Sequence, residues 1–278
     1  MNGTETFLEV RIALRGNLTN NQRVSRVAIL SDIHANMHAL RAVLDEIETL
    51  KIDSIVCGGD TVGYGPYPSE CVKQVRQTGG VSVVGNHDYF AITEKRYPGS
   101  IPAEPESIDN PVWAGIRHAV QQLTEDDFAW LESLPHIIKI PGGVLTHAAL
   151  HDPGNWPYLL SDADAIPTLE ILTECQIDIT FVGHTHRQEY FLLPGDPDLE
   201  ELVPGSKYRL QPRSVCAVVV GSVGQPRTHD NRAGWTIWDS DERTVEFRRT
   251  PYPYREAAQA FRAARLPESS AQRLLRDG

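Results

Sequence analysis

Apolar, β-branched runs at residues 24–30, 54–57 and 81–84 alternate with stretches of helical spacing, and this alternation narrows the possible folds more than any other feature of the chain. The first helix is expected from Ala35 or Asn36 to Leu50, because Leu40, Val43, Leu44 and Ile47 recur at the period of one helix face. A loop rich in Gly and Pro then runs to Pro68, and a second helix follows to about Gln77. Strand, helix, strand, helix, strand is the signature of parallel strands joined by crossover helices. Open sheets of that kind bind ligands at the carboxyl ends of their strands.

Those ends carry short polar motifs. Ser31-Asp32-Ile33-His34 follows the first run, Gly58-Gly59-Asp60 the second and Gly85-Asn86-His87-Asp88 the third. Thr146-His147 and Gly183-His184-Thr185-His186 close two later apolar runs, at 144–146 and 179–182. Asp32, Asp60, Asn86 and the imidazoles of His34, His87, His147, His184 and His186 make up the inventory that a two-metal phosphoesterase site needs.

Further along, residues 97–112 carry several prolines and read as a loop, followed by a helix at 112–122. Thr124 caps a short helix to Leu131, with Asp126 and Asp127 in its first turn. Residues 136–146 read as a hairpin about Pro141-Gly142-Gly143, and a helix is expected from Asp162 to about Cys175. Beyond 179–182 the chain turns to strands, at 189–193, 207–211, 215–220, 234–238 and 244–249, and ends in one or two surface helices within 256–276. An α/β first half and an antiparallel second half suggest two sheets packed face to face, helices outside and motif loops at one edge. Residues 1–24 lack a clear period and read as a flexible extension, leaving 25–278 as one domain with a helical tail.

The formal net charge of -11 argues against a broad nucleic-acid-binding face or attachment to an anionic membrane. A small anion held by local cations is compatible with it. Cys57, Cys71, Cys175 and Cys216 form no CxxC pair and read as buried or unpaired thiols. With no run of 18 apolar residues and no signal-peptide core before Gln22, a cytoplasmic protein is expected.

Two divalent cations held about 4 Å apart repel by roughly 16 kcal/mol at an effective dielectric of about 20, so a bridging ligand is needed, and a carboxylate with two oxygens can serve. Asp60 suits that role, since two preceding glycines let the backbone approach closely. Asp32 and His34, two apart in extended chain, point the same way and reach one cation, and His184 and His186 face the pair, one to each. Asn86 adds an amide oxygen and His147 a neutral imidazole. Mixed nitrogen and oxygen ligation suits Mn, Fe, Ni or Zn, with Mn the expected activator in vitro. Two dications stay net positive beside Asp32, Asp60 and a hydroxide, so the missing ligand is an anion, and phosphate fits. The expected reaction is hydrolysis of a phosphate ester or anhydride by attack of a metal-bridging hydroxide. His87, beside Asn86, would protonate the leaving oxygen, and Asp88 would fix its tautomer or raise its pKa.

The series DxH, GGD, GNHD, H and GHTH resembles the calcineurin-like metallophosphoesterase superfamily over about residues 24–245. Residues 221–227, Gly-Ser-Val-Gly-Gln-Pro-Arg, are similar to its bacterial branch of YfcE-type phosphodiesterases and phosphoesterases related to diadenosine tetraphosphate hydrolases. The resemblance implies a four-layer αββα sandwich about two mixed β-sheets. It implies one metal on Asp32, His34, Asp60 and His186, a second on Asp60, Asn86, His147 and His184, and His87 as the acid. Ala148-Ala149 departs from the Gly or Ser usual after the third motif histidine, which alters the pocket wall and leaves the ligand in place.

Arg227 and Tyr64 are the expected substrate contacts, with Tyr89 and Trp156 beside motif loops. His38, His118, His136, His151 and His229 have no partner motif and read as surface or packing residues. Gly63-Tyr64-Gly65-Pro66 lacks the Lys-Ser or Lys-Thr of a P-loop. A small phosphorylated substrate, a nucleotide among the candidates, is expected rather than long nucleic acid or a membrane. The rival readings are a catalytically weak metal-binding scaffold and a metal-dependent nuclease. The residues leave the substrate, the native metal and the oligomeric state open.

Overall fold

The structure, a computed structural model, describes residues 25–102 and 110–276. The extension expected at 1–24 and the middle of the loop expected at 97–112 lie outside the described residues. The strands are β1 (Arg26–Leu30), β2 (Ser54–Cys57), β3 (Ile137–Ile140), β4 (Gly143–Thr146), β5 (Ile179–Val182), β6 (Gln188–Leu192), β7 (Glu200–Val203), β8 (Lys207–Arg209), β9 (Cys216–Val220), β10 (Ala233–Asp239) and β11 (Thr244–Thr250). They build a six-stranded sheet in the order β2-β1-β10-β11-β8-β7 and a five-stranded sheet in the order β3-β4-β5-β9-β6. Both are mixed. β1 runs parallel to β2 and antiparallel to β10, while β5 runs parallel to β4 and β9 and the outer pairs β3–β4 and β6–β9 are antiparallel.

The period of two along each strand sorts side chains between layers. On β1, Val27 and Ile29 join Val56, Leu145, Phe181, Val218 and Val220 between the sheets. Ala28 and Leu30 face the other way, onto α1 (Met37–Glu48) and the C-terminal helices α7 (Tyr254–Ala263) and α8 (Glu268–Leu274). Val144, Val182, Ala217 and Val219 cover the outer face of the five-stranded sheet beneath α6 (Asp162–Cys175). The result is helices, sheet, sheet and helices, the sandwich expected. Helices α2 (Pro68–Gln77), α3 (Asn86–Arg96), α4 (Pro111–Gln122) and α5 (Glu125–Glu132) share a separate apolar cluster that includes Val62, Val72, Ala91, Ile116 and Leu131.

The structure departs from the sequence reading at four places. The run 81–84 makes only an isolated parallel bridge, Ser82 to Cys57, because Val84 N–H turns away to the carbonyl of Pro135. The Asn86-His87-Asp88 motif is the first turn of α3 rather than a loop. β7 is an additional edge strand, and its Glu200, Glu201 and Val203 are exposed. The C-terminal helices are not mere surface elements, since Ala257, Ala258, Phe261, Ala271 and Leu274 are buried in the core. All four cysteines are free. No described helix is long and apolar enough to cross a membrane.

Candidate metal centre

The motif loops are tied to one another through the backbone. Asp32 N–H donates to Gly59 O at 3.0 Å, His34 N–H to Asp60 O at 2.9 Å and Gly183 N–H to His147 O at 2.9 Å. Asp32 also reaches across: both its carboxylate oxygens accept from the N–H of His184, at 3.2 and 3.0 Å. The paired ligands do not meet through extended chain, as the i, i+2 spacing suggested. Asp32, His34, Asp60, His184 and His186 all have left-handed backbones, with φ of 52°, 48°, 53°, 66° and 63°. Such conformations cost about 1–3 kcal/mol each outside glycine and collect where function demands them. Gly59, at φ 90°, allows the close approach expected of it, for a Cβ there would lie 2.9 Å from His147 Nδ1.

Three imidazoles are aimed by main-chain carbonyls. His34 Nδ1 donates to Val62 O at 3.1 Å, His147 Nδ1 to Gly58 O at 2.7 Å and His186 Nδ1 to Gln225 O at 2.5 Å. A carbonyl can only accept, so in the neutral rings each Nε2 carries a lone pair, the arrangement found when histidines ligate metals. Those lone pairs converge. His34 Nε2 and His186 Nε2 are 3.1 Å apart, with Asp32 Oδ1 at 3.2 Å from the latter and 3.8 Å from the former. His147 Nε2 faces Asn86 Oδ1 at 3.0 Å and Asp60 Oδ2 at 3.4 Å. Acceptors that face acceptors at these distances repel unless a cation lies between them. Three groups of donors could each hold a cation, Asp32–His34–His186, Asp60–His147–His184 and His34–Asp60–His87, and the last links the other two, with Asp60 Oδ2 3.7 Å from His34 Nε2.

Electrostatics supports the same division of charge. Burial opposes ionisation of Asp60 and Asp32, yet His147 and His87 beside Asp60, and His186 beside Asp32, hold both carboxyls well below the usual range. Burial drives His34 well below its ordinary value and His184 down to about 3, leaving neutral donors. His147 behaves oppositely: burial works against its charge, but the Asp60 carboxylate pushes it up to about 9. A proton on Nε2 there stands where a cation would relieve the same oxygens.

His87 lies against this centre, grouped with His34 and Asp60. Its N–H donates to Asp60 Oδ1 at 2.8 Å, and its ring is 4.7 Å from that of His34. Its Nδ1 is buried and has no hydrogen-bond partner, and burial lowers its pKa to about 4. Asp88 does not orient it, contrary to expectation. The Asp88 carboxylate accepts from Val62 N–H and Gly85 N–H, both at 3.1 Å, because the first turn of α3 points it back under the loops. Burial and the nearby Asp60 raise Asp88 to about 7. Tyr64 is 5% exposed and packs its ring against both His34 and His87, at 4.7 and 4.6 Å, more a wall of the site than an open contact. Trp156 is buried as well, while Tyr89 is exposed.

A cavity of about 240 Å³ adjoins the centre and brings Arg227 to it, together with Asp60, Asn86, His87, His184 and His186. The Arg227 Nε is buried without a partner, and although burial opposes the guanidinium's charge, Tyr64 and Tyr158 nearby favour it. Tyr158, which no motif announced, stacks on the His184 ring at 3.9 Å and 19°. Gln225 lies in the 221–227 segment, but its contact with His186 is made through its carbonyl, which its side chain does not announce. The strap that carries it is bound to the first motif by Ser222 Oγ and Gly224 N–H, both donating to Asp32 O at 2.9 Å.

A family model described as calcineurin-like phosphoesterase matches residues 25–188. An uncharacterized protein of Methanocaldococcus jannaschii is 35% identical over 262 residues, 90% of this chain and 97% of that protein. A crystal structure of a metallophosphoesterase from Sphaerobacter thermophilus superposes with a TM-score of 0.73 at 30% identity, covering 91% of this chain and 99% of the other. A hypothetical protein from Pyrococcus horikoshii shares the fold at the same TM-score of 0.73 and 19% identity, with 91% and 98% covered.

Proposed function

The chain belongs to the calcineurin-like phosphoesterase family, and from that premise we propose that it hydrolyses a small phosphorylated substrate at a centre of two divalent cations. The observation that carries this reading is the approach of His34 Nε2 and His186 Nε2 to 3.1 Å, each ring committed through Nδ1 to a backbone carbonyl. Asp32, His34, Asp60 and His186 would hold one cation, and Asp60, Asn86, His147 and His184 the other. All-nitrogen-and-oxygen donors suit Mn, Fe, Ni or Zn. When bound, the cations would activate water as a nucleophile and offset charge on the phosphoryl oxygens.

The protein's own side chains supply the rest. Arg227, on the same cavity, offers its guanidinium to a phosphoryl oxygen. His87 lines the cavity and gives a proton to the departing oxygen. The negative charge of a bound phosphoryl group favours its imidazolium and works against the effect of burial. Tyr64 closes one wall and excludes water from the His34–His87 side. Metal analysis of the purified protein, run beside hydrolysis of bis-p-nitrophenyl phosphate with Mn added, tests the proposal. Two bound cations with Mn-dependent release of p-nitrophenol are expected, and a metal-loaded protein that turns over neither this diester nor the monoester p-nitrophenyl phosphate would leave only the scaffold reading.

A further inference from the structure

The cavity beside the metal centre has two unlike halves. One is the polar cluster of Asp60, His87 and the other site residues, and the other is formed by Phe90 of α3 with Val112 and Trp113 of α4. We infer that this second half is a base-binding subsite and that the substrate is a nucleoside phosphate, its ring lying against Phe90 and Trp113 while its phosphate meets Arg227 and the cations. The inference rests on the phosphoester reading above.

Phe90 and Trp113 are each half-buried, packed by one side on the apolar cluster of the surrounding helices and lining the cavity as well. Their ring centroids are 5.4 Å apart at 54°. Helix α4 is seated flush against the site, for a Cβ on Gly115 would lie 2.2 Å from Tyr64 N. Among the described residues this wall offers no ionic partner to a sugar hydroxyl or a charged group, whereas a planar heterocycle keeps its faces out of water there.

Spacing selects between ring-bearing substrates. Phe90 is 6.4 Å from the His87 ring, and Trp113 touches Phe90 but none of the site imidazoles. The wall therefore begins one ring beyond the reacting centre. A ring esterified directly to phosphate would lie beside His87, whereas a base carried on a sugar reaches past it. The cavity, about 240 Å³, is smaller than the roughly 300–1,000 Å³ of common ligand pockets, which suits one nucleoside better than several peptide side chains.

Adenosine 5′-monophosphate and ribose 5-phosphate share the same phosphate and sugar and differ only by the base, so their comparison isolates the subsite. Calorimetric binding to the whole protein with metal withheld, and kcat/KM with Mn present, are the two readouts. Binding about ten-fold tighter for the nucleotide is expected, within the range for a base on an aromatic side chain. Trp113→Ala should shrink that preference to about three-fold or less, and Trp113→Phe should keep most of it. Equal affinity for the two ligands, no detectable nucleotide binding, or a preference unchanged in Trp113→Ala would overturn the inference. So would a larger Trp113-dependent preference for O-phosphotyrosine. Selective nucleotide binding without turnover of any ester would refute the phosphoesterase reading alone and leave the subsite standing.

Discussion

Gly63 presses its Cα against the ring of His87, so closely that a Cβ would sit within 2.3 Å of Nδ1. The glycine also has φ of 89°, a left-handed backbone. The loop after Asp60 thereby fixes the ring proposed to move a proton.

Gly63→Ala should push His87 out of place and strain the loop. A loss of about 1–3 kcal/mol in stability is expected, with turnover falling about 100-fold, as misplacement near 1 Å commonly causes. Metal content should stay at the parental level, because the nearest atoms to the new methyl all belong to His87. Urea unfolding, metal analysis and kcat on one preparation check all three.

Asp60 and His147 should differ in what they release. Asp60→Asn removes the carboxylate shared by both clusters and should strip both cations. His147→Ala leaves Asp32, His34 and His186 together and should retain one. Metal per chain after dialysis separates the outcomes. Chelation of the parent should lower Tm reversibly, since each site held at about 100 times its Kd adds about 2.7 kcal/mol.

His87→Gln should keep both cations and lose turnover, and the loss should depend on the leaving group. An alkoxide needs the proton, so alkyl esters should slow by about 10²–10⁴. Esters of p-nitrophenol leave as a stable anion and should slow far less. Equal losses for both esters would remove His87 from the proton-donor role.

Asp127 ties α5 to α2, accepting from Ser69 Oγ at 2.6 Å and from Thr124 N–H at 3.0 Å. Burial opposes its ionisation, but the hydrogen bonds from Ser69 and Thr124 hold its carboxyl below the ordinary 3.8. A folded-state pKa below the unfolded one means the unfolded chain binds protons first as pH drops. The stability supplied by Asp127 is thus fully present above the ordinary value and is lost as pH falls through the folded one. At neutral pH Asp127→Asn should cost about 1–2 kcal/mol. The gap between parent and variant should close in acid below about pH 4, as read from urea midpoints along the pH series.

The strand framework and the residues that converge on the candidate metal centre were legible for one reason: each motif ends an apolar run, and both signals are local in sequence. Asp32, Asp60, His147 and His184 needed only that. The backbone that presents them was not legible, because the left-handed φ at Asp32, His34, Asp60, His184 and His186 is imposed by contacts between distant loops. α3 went unread because its apolar residues, around Phe90, Ala91 and Ile92, keep no clean helical face. β7 went unread because Glu200 and Glu201 sit on an exposed sheet edge. Phe90, Trp113 and Tyr158 come together only when separate helices and loops fold onto one cavity.

His34, His147 and His186 lean on the carbonyls of Val62, Gly58 and Gln225, which every residue possesses whatever its side chain. Mutational drift around the centre therefore leaves the pointing of these three rings untouched. Phe90, Trp113 and Tyr158 belong to different segments and touch no such anchor. Descendants of this protein are free to exchange one preferred molecule for another while inheriting the same hydrolytic engine unchanged.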